Sequence, residues 1–130
     1  MASSAPSQRQ LRVGEIIRHA LADVFSRNDT NDPDLDRLGV TVVEVQTSPD
    51  LRIATAFVRP FMEKDNDTLM KALERTRRHI RMLITPRVKL KYMPDIRFRI
   101  DTGLDYAGHI EQILNSPAVR RDIESKDEDE

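Results

Sequence analysis

The sequence predicts an α+β domain in which a three-stranded sheet carries its helices on one face. Apolar residues recur at three- and four-residue steps over 8–27 and 69–84, which indicates two amphipathic helices. They alternate with other residues, or are enriched in β-branched types, over 40–46, 51–59 and 96–100, which indicates strands. The 130 residues are enough for one domain with a real core, without metal or disulfide cross-links.

The first half of the chain predicts a helix followed by a hairpin. The helix over 8–27 is ended by a run of turn-forming residues that finishes at Pro33. Residues 32–38 are predicted to be an acidic connection. The strand over 40–46 has valines on both faces, Val43 and Val45 on one and Val40 and Val42 on the other, so we expect it to be central in the sheet. A short turn then leads to an antiparallel partner strand.

The second half predicts a helix, a break, a strand and a short helix. Asp67 or Thr68 is the expected N-cap of the long helix, and a kink is expected near Thr76, whose hydroxyl lies within the apolar stripe. Pro86 should end this helix, because proline removes a backbone hydrogen bond. Residues 88–92 then alternate as an extended segment. A short helix is expected over 104–114.

These elements define three regions. Residues 1–7 are a small, polar leader that we expect to be disordered, 8–114 form the domain, and 115–130 form an acidic tail expected to be disordered. The leader lacks the apolar run of a secretory signal, and no segment reaches the ~20 apolar residues of a membrane span. We therefore expect a cytoplasmic protein.

The sequence offers little for catalysis. It contains no cysteine and no glycine-rich phosphate loop, which excludes thiol chemistry and disfavours nucleotide hydrolysis. Asp32, Asp34 and Asp36 alternate as in a calcium loop, but Pro33 interrupts them and the distal glutamate is missing. We expect no enzyme activity, no metal and no cofactor.

The strongest functional signal is a run of basic residues over 75–91 that contains no acid. Between residues 71 and 101, ten Lys/Arg face three Asp/Glu, a balance of +7, whereas the rest of the chain has eleven and nineteen, a balance of −8. Arginine outnumbers lysine five to two in the run, and arginine suits bidentate phosphate contact. The run comprises Arg75, Arg77, Arg78, Arg81, Arg87, Lys89 and Lys91.

These charges predict binding to a polyanion, with an ordinary solvated helix face as the alternative. Because no acid is interleaved, we expect the charges to be uncompensated within the helix. Arg9 and Arg12 on the first helix are expected to add contacts. RNA is favoured over DNA because no recognition helix with polar base-reading side chains is evident. Few aromatic residues are present, so contacts should go mainly to phosphate and sugar.

Several segments, with compatible spacing over about residues 8–114, resemble the bacterial ribosome-binding factor A family. They are Val43–Leu51, Ala54–Val58, Ile80-Arg81 with Leu83, Leu90–Phe98, Asp101–Leu104 and Ile110–Leu114.

The resemblance implies a type II KH-like fold with the order α-β-β-α-(kink)-α-β. It implies binding to the immature 30S small ribosomal subunit and its 16S rRNA, a part in late rRNA processing and cold adaptation, and no catalysis. Relatives carry the kink at an Ala-x-Gly sequence, and the matching positions here are Thr76, Arg77 and Arg78, without the glycine. We expect a monomer. A protein–protein adaptor and a free-standing KH-type RNA-binding regulator remain the alternatives.

Overall fold

The computed structural model describes residues 5–102, in which six elements follow the order helix, helix, strand, strand, helix, strand. The predicted α+β class with a three-stranded sheet is confirmed. The predicted helix over 104–114 and the tail over 115–130 lie outside the described residues. The elements are α1 (Gln8–Ser26), α2 (Pro33–Leu38), β1 (Val40–Thr47), β2 (Ile53–Pro60), α3 (Asn66–Val88) and β3 (Asp95–Ile100).

The sheet has β2 at its centre, with β1 antiparallel on one side and β3 parallel on the other. The parallel pairing follows from α3, which connects β2 to β3 as a crossover helix. α1 and α3 pack against each other and against the sheet. Among residues 5–102, no helix is long and apolar enough to cross a lipid bilayer.

One stripe of each long helix meets the sheet in the core. The buried stripe of α3 leaves the opposite side of that helix to solvent. The core contains Ile17, Leu21 and Val24 from α1, Leu69, Leu73, Ile80 and Ile84 from α3, and Ala54, Ala56, Val58, Ile96 and Phe98 from the sheet.

α1 begins at Ser7 and lies close to β1. Ser7 and Gln10 form a reciprocal capping box, and Gln10 Nε2 donates to the Thr47 carbonyl at 3.0 Å. Further along, Gly14 lets the helix approach the strand. A Cβ atom at this position would lie 2.6 Å from the Val45 carbonyl oxygen, so a larger residue would force the two elements apart.

The prediction that residues 32–38 form an irregular connection is wrong, because Pro33 begins a helix instead of only ending one. Proline is favoured in the first turn, where its missing N–H costs nothing. Asp32 is the N-cap, and its side chain accepts hydrogen bonds from the Asp34 and Leu35 backbone N–H groups. The resulting α2 ends at Gly39, which has a φ of 71°.

The prediction that the first strand is central is also wrong, because β1 lies at the edge of the sheet. A bulge between Val42 and Glu44 leaves Val43 without a register partner on β2. The bulge changes the phase of the strand, so Val45 is buried on the same side as Val42 while Val43 is only half-buried. Valines therefore occur at both odd and even positions of β1 because the bulge shifts the alternation by one residue, and not because both faces of the strand are buried.

α3 is one continuous helix that includes Thr76, where a kink was predicted, and Pro86, where the helix was predicted to end. At Thr76 the hydroxyl donates to the Ala72 carbonyl at 2.7 Å, and the helical segments on either side form one helix. Pro86 lies inside the last turn, where it removes one backbone hydrogen bond and only two helical residues follow it. The helix ends at Lys89, a left-handed C-cap with a φ of 55°. The start is at the N-cap Asp65, before the predicted caps.

The extended segment predicted over 88–92 is therefore absent, since Val88 is the last helical residue and no strand is assigned between it and Asp95. The residues after the left-handed cap form a short connection to β3. Its last residue, Pro94, is fully buried, and the Asp95 N–H donates to the Arg52 carbonyl at 2.8 Å. The connection is thereby fixed against the β1–β2 turn.

Candidate nucleic-acid interface

The side of α3 that faces away from the sheet is mainly basic from Lys71 to Lys89, with Asp67 in the turn before it and Glu74 at its edge. Its members follow one another at three- and four-residue steps and all are exposed. Met82, in the middle of this side, is 70% exposed. We call this surface the α3 outer face; it comprises Lys71, Arg75, Arg78, Met82, Thr85 and Lys89.

Arg75 on the α3 outer face is bound to α2. Its guanidinium donates to both carboxylate oxygens of Asp32 at 2.9–3.1 Å and to Asp34 at 3.0 Å. The Asp32 side chain is only 8% exposed, so this ion pair is partly withdrawn from water. Hydrogen bonds from Arg37 and then from Arg75 lower the pKa of the Asp34 carboxyl below its ordinary value. Arg75 therefore serves first to join α2 to α3.

Arg77 and Arg81 lie on the flank of α3 and reach the start of β3. Arg77 donates to the Asp95 carboxylate and to the Ile96 carbonyl, each at 3.2 Å. Arg81 Nε donates to the Pro94 carbonyl at 3.1 Å, and its Nη2 donates to the Met93 carbonyl at 2.8 Å. Both guanidinium groups hold the connection between α3 and β3.

Arg87 links the end of α3 to the end of α1. Its guanidinium donates to Asp23 at 2.6 Å and lies 3.5 Å from Asp29. With Arg75, Arg77 and Arg81, this makes four of the nine predicted contact residues that have partners inside the fold. The expectation of uncompensated charge is wrong for Arg75, Arg77 and Arg87, which pair with carboxylates. Arg81 donates only to carbonyls among the described residues. The partners lie outside the basic run over 75–91. Glu74 is 3.5 Å from Arg77 Nε, and the others are 12 to 64 residues away along the chain.

The other predicted residues remain available. Within residues 5–102, Arg78, Lys89, Arg9 and Arg12 are exposed and have no hydrogen bond or salt bridge from their side chains. Lys91 Nζ lies 5.5 Å from the centroid of the Tyr92 ring, a cation–π contact. Arg78 and Lys89 belong to the α3 outer face, whereas Lys91 lies beyond its end.

Arg9 and Lys91 come together in a recess of about 780 Å³ between the start of α1, the β1–β2 turn and the connection from α3 to β3. Sequence reasoning missed two of its members, Arg52 and Tyr92. Tyr92 is 78% exposed, although the alternating pattern around it suggested a strand. Its position directly after a lysine was the available signal. Met82 was missed because a single apolar residue among arginines is easily assigned to a core.

No group of three His, Asp or Glu residues in the described part of the chain is placed to hold a metal ion. The alternating aspartates Asp32, Asp34 and Asp36 belong to α2 and its cap. Asp32 accepts hydrogen bonds from backbone N–H groups and from Arg75, and Asp34 accepts them from Arg37 and Arg75. This geometry accounts for their spacing.

Comparison with known proteins identifies a single family. A sequence profile described as ribosome-binding factor A matches residues 9–114. The ribosome-binding factor A of Bradyrhizobium sp. (strain ORS 278) is 48% identical over 124 residues, which cover 95% of this chain and 90% of that protein. The protein of the same name from Chelativorans sp. (strain BNC1) is 48% identical over 131 residues, covering 100% of this chain and 98% of that protein.

Solved structures agree. A solution structure of a Thermotoga maritima protein, described as a putative ribosome binding factor A, matches with a TM-score of 0.61 and 26% identity, covering 78% of this chain and 94% of that one. Thermus thermophilus ribosome binding factor A, fitted into a cryo-EM map of a 30S–RbfA complex, matches with a TM-score of 0.52 and 27% identity, covering 65% and 86%. The KH-like fold is thus shared with these proteins.

Proposed function

This chain belongs to the ribosome-binding factor A family, and we propose that it associates with the free, immature 30S subunit and its 16S rRNA, where it assists late rRNA processing and subunit maturation. The fitted 30S complex of the Thermus thermophilus relative supports the choice of partner. We assign the protein a binding role without a catalytic step.

Among the residues of this chain, the α3 outer face gives the proposal its main support. Four cations lie along it, and Arg78 and Lys89 have no carboxylate partner within residues 5–102. Solvated, unpaired cations attract phosphates and release the counterions that surround RNA. An exposed Met82 between them offers an apolar contact to sugar. The rigid core beneath α3 holds these side chains in one row.

The paired arginines take a different part in this proposal. Arg77, Arg81 and Arg87 fix the connections around α3 and do not act as the main phosphate contacts. Removing one of their partners would leave a partly buried polar group unsatisfied, which costs more than an exposed pair contributes. Arg75 keeps half of its side chain exposed while it binds Asp32, so it can contact RNA only with donors that the aspartates leave unused.

Cosedimentation with purified small subunits, large subunits and whole ribosomes tests the proposal. We expect wild-type protein to sediment with small subunits and Arg78→Glu/Lys89→Glu to remain largely in the supernatant, because phosphate contacts are replaced by repulsion. The matched control is Arg27→Glu/Lys64→Glu, which changes net charge equally at two exposed positions outside this surface. Circular dichroism establishes that each variant is folded.

Equal sedimentation of the two double variants would contradict the role of the α3 outer face. Binding to isolated ribosomal proteins, without binding to 16S rRNA or to subunits, would favour the adaptor alternative. Binding to single-stranded messenger RNA, without sedimentation alongside small subunits, would favour the free-standing regulator.

A further inference from the structure

We propose that the recess beside α1 is a binding site for one unpaired nucleotide of RNA, whose base stacks on Tyr92 while its phosphates lie among Arg9, Arg52 and Lys91. The inference rests on the proposed function and deepens it, because it names single-stranded RNA as the class bound at a second place. Thr76, Arg77 and Arg78, the positions that match the kink of relatives, do not line this recess.

The recess has the size and lining of a ligand site. Its volume of about 780 Å³ falls within the roughly 300–1,000 Å³ typical of small-molecule pockets. Three partly buried apolar side chains, Leu51, Leu90 and Met93, line it beside the polar and basic groups. An apolar wall with charged residues at its rim suits a base with its attached phosphates.

Tyr92 and Lys91 provide the contact that distinguishes RNA from other anions. An exposed tyrosine offers a flat surface on which any base can stack. The Lys91 ammonium lies 5.5 Å from the ring centroid, so a stacked base is adjacent to a cation that binds phosphate. Bases in a duplex are stacked on each other and cannot reach such a ring, whereas those in loops and single strands can.

The charge of the recess favours a polyanion. Arg9, Arg52 and Lys91 are exposed cations, and Asp50 is the one acid among the lining residues within 5–102. Arg52 lies 3.9 Å from Asp50 and its side chain is 84% exposed, so this ion pair is loose. Ser48 donates a hydrogen bond to Asp50 and lowers the pKa of its carboxyl, which stays ionised. The balance of lining charges is therefore three positive to one negative.

Each wall is fixed before any ligand arrives. The Ser48 hydroxyl accepts hydrogen bonds from the Arg52 and Ile53 N–H groups, which holds the turn around Leu51 in its left-handed conformation with a φ of 60°. Gln10 fixes the start of α1 to β1. Arg81 donates to two carbonyls in the connection from α3 to β3, which forms the third wall. A preformed site loses little conformational entropy when it binds.

Fluorescence anisotropy with the full chain tests this site, using labelled hexauridylate as the unpaired probe and a blunt RNA duplex as the paired one. We expect Tyr92→Ala to weaken hexauridylate binding at least about fivefold, since stacking on one aromatic ring contributes that much or more. Duplex affinity should change by less than about twofold. Tyr92→Phe should retain hexauridylate binding because the ring remains.

Phe61→Ala is the control for loss of an exposed aromatic side chain, since Phe61 is 65% exposed and does not line the recess. It should bind both probes as wild type does. Unchanged hexauridylate binding by Tyr92→Ala, or an equal loss for both probes, would overturn the proposal for the recess. Loss of subunit binding by Arg78→Glu/Lys89→Glu would persist in that case, so the proposed function would stand without the recess.

Discussion

The arginines on the outer face of α3 and those on its flank are the same residue type in opposite surroundings. Arg78 lies on the outer face, exposed and without a side-chain partner in the described residues, whereas Arg81, three residues later, donates two hydrogen bonds to backbone carbonyls. Three residues on a helix place two side chains about 60° apart, so Arg81 lies beside the outer face, at the flank from which its guanidinium reaches the connection to β3. The arginines of this helix therefore have two roles, exposure to a ligand and internal hydrogen bonding, and only the structure distinguishes them.

The two sets differ in what a substitution would leave behind. At Arg78, a smaller side chain leaves only solvent, so folding should be unaffected. At Arg81, it leaves the Met93 and Pro94 carbonyls without their donor, next to a fully buried proline. Stability and binding should therefore respond to different residues of one helix.

The largest effect is expected on stability at the flank. Arg81→Ala should lower the free energy of unfolding by about 1–3 kcal/mol, because two partly buried carbonyls lose their donor. Arg78→Ala should change it by less than about 0.5 kcal/mol. Urea denaturation followed by circular dichroism measures both. A larger loss for Arg78→Ala than for Arg81→Ala would reverse the assignment of the two sets.

A smaller effect is expected on the salt dependence of RNA binding. Five of the nine cations that the sequence predicts to contact RNA have no hydrogen bond or salt bridge from their side chains among the described residues. Five contacts give a slope of log affinity against log salt of about −3.5 to −4.5. Arg78→Ala should reduce its magnitude by about 1 and Arg77→Ala should leave it unchanged. Filter binding of 16S rRNA at KCl concentrations from about 50 to about 300 mM measures the slope.

A slope near zero for wild-type protein would show that the protein does not contact phosphates. An equal change for Arg77→Ala and Arg78→Ala would mean that the internal pairs of Arg77 open when RNA binds. Either result would end the distinction between the outer face and the flank.

The smallest effect is expected at Asp34, whose contact with Arg75 joins the outer face to α2. Its pKa is lowered in the fold by Arg37 and then Arg75, so the carboxylate stabilises the folded state above its ordinary pKa. That contribution is lost as the pH falls through the lowered value. The stability difference between wild type and Asp34→Asn should thus be constant near neutral pH and shrink below about pH 4.

Thermal denaturation from neutral to acidic pH measures this difference. Asp36→Asn is the control, because Asp36 lies on the same short helix and has no salt bridge to an arginine in the described structure. A difference that grows on acidification would contradict the contribution assigned to Asp34.

The sequence predicted what depends on local periodicity. The two long helices, the hairpin and the third strand were placed within a few residues, and the exposure of Arg78 follows from its position opposite Leu73 and Ile80. It failed where one residue has two possible roles. Pro33 can stop one helix or start the next, and Pro86 can end a helix or occupy its last turn.

The partners of the arginines could not be predicted from the sequence for another reason. Asp32 meets Arg75 across 43 residues and Asp23 meets Arg87 across 64, so each pair exists only because α1, α2 and α3 pack together. No pattern within the basic run distinguishes Arg87, which is paired, from Lys89, which is not. The recess likewise joins three segments that are far apart in the chain.

The bulge at Val43 has a consequence for the solution behaviour of the protein. Within residues 5–102, β1 pairs only with β2, so its other side presents backbone groups to which a strand from a second molecule could add. The extra residue interrupts that row and twists it, which discourages intermolecular pairing. Without Val43 the strand would alternate regularly, with Val40, Val42 and Val45 still toward the core. Its unpaired edge would then present an uninterrupted row of backbone groups, which favours aggregation.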